Sequence, residues 1–237
     1  MASGGGIPVG RRIVIGMVAV GAAGVAFGDR LSAIEQSLLA PIQSRDPTGL
    51  SALLPDDGGF RFYSVTGSTP TRTAETYRLT VGGLVDRSGT LMMSDLASMP
   101  QTSLTRDFQC VTGWRVPDVH WSGVALPDLL DRVGVRHGAT AVRFTSFDGT
   151  YTESLTLAQA RRSDVLVATS MLGGPVSREH GGPVRLYVAP MYGYKSCKWL
   201  GGIELTARVE PGYWEHYGYS VDAWVGHSNG RDDTPTG

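Results

Sequence analysis

Short runs of β-branched and aromatic residues recur along the chain from residue 60 onward, and glycine, proline and small polar residues separate them. Richness in β-branched and aromatic residues, bounded by turn-forming residues, is typical of strands. The pattern predicts strands over 60–65, 76–85, 103–111, 140–147, 164–170, 184–189 and 203–209.

Two segments carry helical signals instead. In 126–133, LPDLLDRV, Pro127 lies near a first-turn position and Gly134 follows the last residue, as helix start and stop signals do. The segment 155–162, LTLAQARR, predicts a second short helix. Because strands and helices do not alternate regularly, a parallel βαβ sheet is not expected. The sequence therefore predicts an α+β fold that is mixed and strand-rich, with short helices.

The first 28 residues have the features of an export signal. Arg11 and Arg12 directly precede IVIGMVAVGAAGVAF. An apolar run of about 15 residues suits a secretory signal and is short for a membrane span. A small-x-small cleavage site follows at 26–28, and the paired arginines predict twin-arginine export. The alternative is an uncleaved anchor, and either reading expects a periplasmic or extracytoplasmic protein.

The remaining chain divides into three further parts. In 29–59, apolar residues at helical spacing predict a short helix over 29–43, and 44–59 has the composition of a surface linker. The folded domain is expected over 60–226. The polar composition of 227–237 predicts a disordered tail.

Charge and composition narrow the class of protein. The net charge of -1 argues against a general nucleic-acid binder, which needs a basic excess to contact phosphates. The 32 glycines and 13 prolines indicate many turns, which favours a strand-rich architecture over a helical bundle.

The two cysteines have three possible roles. Cys110, within FQCVTGW, and Cys197 are the pair available for a disulfide, which composition alone favours in an exported protein. Either thiol can also be a buried small apolar group or a ligand for a soft metal. The chain has no CxxC or HExxH spacing and its five histidines are scattered. A metal at one cysteine would therefore take its other ligands from a cofactor.

A basic, glycine-containing stretch offers a docking surface for such a cofactor. In HGGPVRLYVAPMYGYKSCKWL, 180–200, Arg185, Lys195 and Lys198 lie close together in sequence. Arginine binds phosphate bidentately, lysine adds a point charge, and glycine lets the backbone approach a ligand closely. The alternative is a surface strand pair with solvated basic residues.

Several stretches together resemble one family. FQCVTGW, HWSGVALPDLL, FTSFDG, HGGPVRLYVAPMYGYKSCKWLGGIEL and PGYWEHYGYSVDAW occur in an order similar to that in molybdopterin-dependent oxidoreductases of the sulfite oxidase superfamily. The nearer branch looks like the catalytic subunit of the exported protein-methionine-sulfoxide reductase. The resemblance covers residues 60–225 and implies a sulfite-oxidase-type, molybdopterin-binding fold.

The resemblance also implies a cofactor, molybdenum-molybdopterin, and residues that hold it. Cys110 matches the cysteine whose thiolate binds molybdenum, so it is the expected metal ligand and catalytic residue, which leaves Cys197 a small packing residue rather than a disulfide partner. The family has asparagine where His180 stands, and another where Phe60 stands. The cofactor-binding positions implied by the resemblance are Tyr63, Ser64, Ser146, His180, Arg185, Ser196, Cys197 and Lys198.

The residues after the cysteine favour one substrate class. Val-Thr-Gly-Trp-Arg lacks the double arginine of sulfite oxidases, which removes an obvious site for a sulfite dianion, although Arg115 remains. Four aromatic residues predict an apolar mouth that suits a neutral sulfoxide, or else they are ordinary core. These residues are Trp114, Trp121, Tyr192 and Tyr194.

The resemblance therefore implies two-electron oxygen-atom transfer, with reduction of a small-molecule or protein-bound sulfoxide such as methionine sulfoxide. The alternatives are a sulfite-type dehydrogenase, a reductase of S- or N-oxides on the same cofactor, and a non-catalytic exported anion-binding domain. The chain has no CxxCH haem site and no cluster-binding cysteine set, so an external electron donor is expected. The resemblance suggests a haem-bearing membrane protein for that role, and a monomer is expected.

Overall fold

The computed structural model describes residues 60–61 and 64–236. Phe60 and 64–236 belong to one compact unit, while Arg61 belongs to a second unit. The predictions for the export signal or anchor, the 29–43 helix, the 44–59 linker and Tyr63 lie outside the described residues. Among helices in the described part, none is both long and apolar enough to cross a bilayer.

The first of two sheets has five strands in the order β2-β1-β10-β5-β6. The pair β1–β10 is parallel, and the other three pairs are antiparallel. The strands are β1 Leu79–Gly83, β2 Gly89–Leu91, β5 Ala141–Ser146, β6 Thr152–Thr156 and β10 Leu200–Thr206.

The second sheet has the order β3-β4-β7-β8, and β9 also pairs with β7. All of its pairs are antiparallel. The strands are β3 Thr102–Gln109, β4 Arg115–Ala125, β7 Val165–Met171, β8 Gly174–Pro175 and β9 Arg185–Val188. The prevalence of antiparallel pairs agrees with the predicted absence of a βαβ sheet, and the α+β prediction is confirmed.

Three short helices, α1 Met93–Ala97, α2 Leu126–Val133 and α3 Leu157–Ala160, accompany the sheets. The bounds of α2 are those predicted, with Pro127 in its first turn and Gly134 as its C-cap. The helix forms because its leucines and valine recur at helical spacing and are all buried. Two 3₁₀ turns, Gly193–Lys195 and Glu215–Tyr217, complete the elements.

One hydrophobic core joins both sheets to α2. It contains Val81 and Phe144 from the first sheet, Val167 and Leu186 from the second, and Leu129 from the helix. Both sheets therefore pack on the same core. Strands β3 and β9, from which the candidate site is built, belong to the second of these sheets.

The longest strand, β4, is absent from the predicted elements. Pro117 and Asp118 interrupt its pattern, and both residue types are depleted in strands. The structure places them in a bulge, where Arg106 pairs with Val119 and Phe108 with Val116. Asp118 has φ 51° there, so the extra residue is accommodated without ending the strand.

Two other predictions need correction near the ends of elements. The described residues of 60–65 do not form a strand, because the hydroxyl-rich segment turns: Gly67 N–H donates to the Ser64 carbonyl at 3.3 Å. The predicted helix 155–162 begins only at Leu157, since β6 continues to Thr156, whose hydroxyl caps α3.

The C-terminal segment is packed on the domain, contrary to the disorder that its polar composition predicted. Thr236 is buried and donates its hydroxyl hydrogen to the Ala189 carbonyl at 2.6 Å. Asp233 accepts from the Tyr192 hydroxyl at 2.8 Å. The polar side chains of this segment find partners on the domain, so their polarity does not prevent packing.

Candidate functional site

Cys110 lies in a tight turn that joins β3 to β4. Gly113 N–H donates to the Cys110 carbonyl at 3.0 Å, and Cys110 N–H donates to the Trp114 carbonyl at 2.9 Å. Gly113 has φ 105°, which favours glycine, and a Cβ there would lie 3.0 Å from Arg231 Nη2. The turn holds the Cys110 side chain in a half-buried position.

The two thiols have different environments. Cys110 Sγ lies 3.2 Å from the Thr112 hydroxyl, which is a partner suited to a thiolate. Cys197 is fully buried in the hydrophobic core, where burial raises its pKa well above the ordinary value. Neither cysteine is in a disulfide, so the disulfide interpretation fails for this structure.

Arg185, on β9, is a buried cation that contacts backbone carbonyls and aromatic rings. Its guanidinium donates to the carbonyls of His180 at 2.7 Å and Ser196 at 3.1 Å. Its Cζ lies 5.5 Å from the centre of the Phe108 ring and 5.4 Å from that of Trp121. Among the described residues no carboxylate forms an ion pair with it.

His180 and Lys198 lie close to Arg185 and share its electrostatic environment. Burial, followed by the charges of Arg185 and Lys198, lowers the pKa of His180 to about 4. Burial and then Arg185 lower the pKa of Lys198 well below its ordinary value, whereas Glu179 and Cys110 raise it. Cys110 therefore lies within electrostatic range of this basic cluster.

Gly181 allows the basic cluster to close. It has φ 100°, and a Cβ at this position would lie 2.7 Å from the Cβ of Lys198. Lys198 Nζ in turn donates to the Glu179 carbonyl at 3.1 Å. The backbone of 179–181 therefore packs directly against the lysine that the resemblance assigns to the cofactor.

Of the three serines predicted to bind the cofactor, two are buried and one lies in a local turn. Ser196 is buried and its hydroxyl accepts from Val188 N–H at 3.0 Å, while its carbonyl faces Arg185. Ser146 ends β5 opposite Leu200, and its hydroxyl accepts from Asp148 N–H at 3.2 Å. The Ser64 hydroxyl instead donates to the Ser68 carbonyl at 2.5 Å within a local turn.

The four aromatic residues predicted to line a mouth belong to the core. Trp121 and Tyr192 are 1% and 0% exposed, and Trp114 and Tyr194 are also buried. Trp121 stacks on Tyr187 with 4.1 Å between ring centroids. Their large apolar areas are used for packing, which was the alternative reading of these residues.

A different aromatic residue, Tyr219, lies within electrostatic range of Cys110. It is half-buried, and burial followed by Cys110 raises its pKa. Its ring lies 5.6 Å from that of Trp214 and 5.4 Å from that of Tyr194. Tyr219 is not among the predicted site residues. It lies in PGYWEHYGYSVDAW, whose density of aromatic residues is the signal that could have indicated it.

Lys195 does not join the basic cluster that the sequence suggested. It is fully buried between Glu153 and Glu215, at 2.9 Å from Glu153 Oε2. Its Nζ also donates to the Ser154 carbonyl at 3.0 Å. Glu153 lies in none of the family-like stretches and Glu215 lies in PGYWEHYGYSVDAW, and their separation of 42 and 20 residues from Lys195 hides the group from sequence reasoning.

The basic cluster fits a phosphate-bearing cofactor. Arg185 is buried without a carboxylate ion-pair partner among the described residues, and its charge lowers the pKa of both His180 and Lys198. Within the described part of the chain, no cluster of three or more His, Cys, Asp or Glu side chains could hold a metal ion. A metal at Cys110 would therefore take further ligands from the cofactor itself, and dithiolene sulfurs are soft ligands as a thiolate is.

Comparison with known proteins gives one family. Residues 66–214 match the family described as "Oxidoreductase molybdopterin binding domain". The uncharacterized oxidoreductase YuiH of Bacillus subtilis is 36% identical over 150 residues, which cover 62% of this chain and 75% of that protein.

Two further relatives are named for an activity. Sulfite oxidase of Arabidopsis thaliana is 30% identical and matches 62% of this chain but 46% of its own length. The putative protein-methionine-sulfoxide reductase subunit YedZ1 of Azospira oryzae is 30% identical, over 77% of this chain and 70% of that protein.

A solved structure is similar in fold. The sulfane dehydrogenase SoxCD of Paracoccus pantotrophus matches with a TM-score of 0.56 and 21% identity, over 60% of this chain and 41% of that one. This similarity agrees with the fold class expected for the domain.

Proposed function

The chain belongs to the oxidoreductase molybdopterin-binding domain family, and from this premise we propose that it catalyses oxygen-atom transfer between a small substrate and a molybdenum-molybdopterin cofactor. When bound, the cofactor supplies the two-electron redox chemistry. The protein supplies a thiolate ligand, a phosphate site and control of access.

Each of these contributions corresponds to a described group. The Cys110 thiolate would hold the metal, and its contact with the Thr112 hydroxyl orients the sulfur. Arg185 and Lys198 would bind the phosphate of the pterin, since a cation inside the protein gains most from an anionic partner. Ser146, His180 and Ser196 would contact the pterin from the surrounding segments, and Cys197 would contribute through its backbone.

One observation supports the proposal above the others: a half-buried thiol lies within electrostatic range of a basic cluster whose buried arginine has no carboxylate partner among the described residues. A cysteine that only packs in the interior does not require positively charged side chains nearby. A phosphate site alone has no need of a thiol.

We further propose that the substrate is a sulfoxide such as methionine sulfoxide rather than sulfite. Arg115 lies 3.4 Å from Asp107, and Arg231 forms an ion pair with Asp233 at 2.5 Å, so carboxylates already compensate both arginines beside the cysteine turn. A sulfite dianion needs uncompensated cations. The half-buried Tyr219 offers an apolar ring and one hydroxyl to a neutral sulfoxide.

Turnover with two substrates tests this proposal. The full chain, produced in a molybdenum-replete host, is assayed for methionine sulfoxide reduction with a reduced dye and for sulfite oxidation with an oxidised dye. We expect reduction of the sulfoxide to exceed oxidation of sulfite by at least about a hundredfold in kcat/KM. Faster sulfite oxidation would assign the chain to the sulfite-type alternative.

The variant Cys110→Ser tests the ligand assignment. We expect a folded protein that loses at least about a thousandfold in kcat, because a hydroxyl is a poor ligand for a soft metal. Cys197→Ser serves as the matched control and should retain activity when folded. Full turnover by Cys110→Ser would refute the assignment, and a protein without metal or pterin would support the anion-binding alternative.

We propose that electrons come from an external donor and that the protein acts outside the cytoplasm. The paired arginines before the apolar run support twin-arginine export, which carries folded, cofactor-loaded proteins. Replacing Arg11 and Arg12 together by lysine should leave the protein in the cytoplasmic fraction. Unchanged export of that variant would contradict this route.

A further inference from the structure

Lys195, Glu153 and Glu215 form a buried group of three charges, which we call the lysine triad. All three side chains are 0% exposed in their ion pairs. Lys195 Nζ lies 2.9 Å from Glu153 Oε2, 3.0 Å from the Ser154 carbonyl, and in contact with Glu215 Oε1. Such a group is costly to bury, so each of its contacts constrains the backbone that carries it.

The lysine triad joins three separate segments. Glu153 belongs to the edge strand β6, and Lys195 ends the 3₁₀ turn that leads directly into 196–198. Glu215 begins the turn that follows Trp214, and its Oε2 accepts from Gly212 N–H at 2.6 Å. The group therefore connects the segment assigned to the cofactor phosphate with the segment that carries Tyr219.

The triad contains two carboxyl groups and one ammonium. Glu153 Oε1 is buried and has no hydrogen-bond partner among the described residues. Burial raises the pKa of Glu153 to about 8; Lys195 lowers it and Glu215 raises it. Tyr151, Tyr194 and Cys197 also lie within electrostatic range of Glu153. With a pKa of about 8, Glu153 is mostly protonated at neutral pH.

We propose that Lys195 is a positioning residue that couples the phosphate-binding segment 196–198 to the aromatic segment 212–220, which carries Glu215 and Tyr219. The inference rests on the proposed function, because 196–198 is where the pterin phosphate is expected. Lys195 touches neither substrate nor cofactor. It fixes the start of one segment through its own backbone and the start of the other through Glu215.

Hydrogen exchange on the full chain without cofactor tests the coupling. The variant Glu215→Gln keeps the volume of the side chain and removes the charge on the aromatic segment. We expect amide exchange to rise at least about tenfold both in 212–220 and in 193–198, with β4 unchanged. In preparations loaded with cofactor, retained pterin should fall by about tenfold, because the variant loses a contact that holds the cofactor-binding residues in place.

Arg161→Met is the matched control, since it removes an exposed ion pair with Asp131 at 2.8 Å. It should change neither segment. Faster amide exchange in Glu215→Gln that is confined to 212–220, with normal pterin content, would overturn the coupling. Exchange that rises equally throughout the domain, β4 included, would also overturn it, because it would report a general loss of stability. Absence of pterin from the wild type would refute the proposed function, while the exchange result would still decide the role of Lys195.

A second variant covers the case in which Glu215→Gln does not fold. Glu153→Gln replaces a protonated carboxyl by an amide of the same shape. In the wild type, exchange in 193–198, corrected for its intrinsic pH dependence, should increase between about pH 5 and 8, where the raised pKa of Glu153 costs stability, and should level off above that range. The variant should lack that increase. Identical profiles for the two proteins would contradict the proposal.

Discussion

Arg185 and Lys195 are both fully buried cations, ten residues apart in the chain, and their surroundings differ. Lys195 has two carboxyl groups within reach. Arg185 has the carbonyls of His180 and Ser196 and two aromatic rings, and no ion pair with a described residue. The two cations therefore represent a completed and an incomplete electrostatic arrangement in the same part of the fold.

This difference distinguishes a cation that stabilises the fold from a cation that is available to bind a ligand. A buried charge whose counter-charge belongs to the chain contributes to the structure before any ligand arrives. A buried charge that faces only carbonyls and rings is compensated in part, so an anionic ligand gains by binding there. Substitutions at Lys195 should thus affect stability first, and substitutions at Arg185 should affect cofactor binding first.

The largest expected effect on stability is that of Lys195→Met. It leaves two carboxyl groups buried without a cation, so the free energy of unfolding should fall by about 3–5 kcal/mol, measured by denaturant unfolding. Adding Glu153→Gln and Glu215→Gln to the same protein should recover most of this loss. A single variant as stable as the wild type would show that Lys195 is not part of the framework.

The next effect is a dependence on pH. Because the pKa of Glu153 is raised to about 8 in the folded protein, its contribution to stability is complete below the ordinary pKa of 4.5 and is lost as pH rises to about 8. Relative to Glu153→Gln, the wild type should lose about 2–4 kcal/mol between about pH 5 and 8. Parallel stability curves for the two proteins would mean that Glu153 is ionised throughout this range.

Arg185→Met should have a smaller effect on stability and a larger one on the cofactor. The carbonyls of His180 and Ser196 lose a donor, which costs about 1–3 kcal/mol in thermal or denaturant unfolding of the protein without cofactor. Retained pterin should fall by about ten- to a hundredfold, because a charge-assisted contact to phosphate is removed. Normal pterin content in Arg185→Met would contradict the proposed difference between Arg185, which binds the cofactor, and Lys195, which stabilises the framework.

The smallest effect is expected in the C-terminal segment, which contains neither of the two cations. Thr236→Val keeps the shape of the side chain and removes the hydrogen bond to the Ala189 carbonyl. The free energy of unfolding should fall by about 1 kcal/mol, with unchanged pterin content. No loss at all would support the disorder that composition predicted for this segment.

Sequence reasoning was most accurate where structure is local. The helix α2 has its predicted bounds because its apolar spacing, Pro127 and Gly134 all lie within nine residues. The strand β4 escaped prediction because Pro117 and Asp118 suggest a turn, and only pairing with β3 turns them into a bulge. The residue preferences within one segment cannot report a contact that pairing with another strand creates.

The same limit applies to the site. The motifs indicated Cys110, Arg185 and Lys198, which the structure brings into one electrostatic environment. They also suggested that Lys195 belongs with these residues. Its partners, Glu153 and Glu215, come from segments 42 and 20 residues away, so only the fold shows that this lysine has a different role.

The central claim is that Cys110 supplies one sulfur to a molybdenum ion whose other sulfurs come from the pterin. X-ray absorption at the molybdenum edge, on the wild type and on Cys110→Ser loaded in the same host, tests it most directly. The account predicts one sulfur ligand fewer in the variant, because a serine oxygen or water takes its place. The same number of sulfur ligands in both proteins would contradict it, as would a wild-type protein that contains no molybdenum.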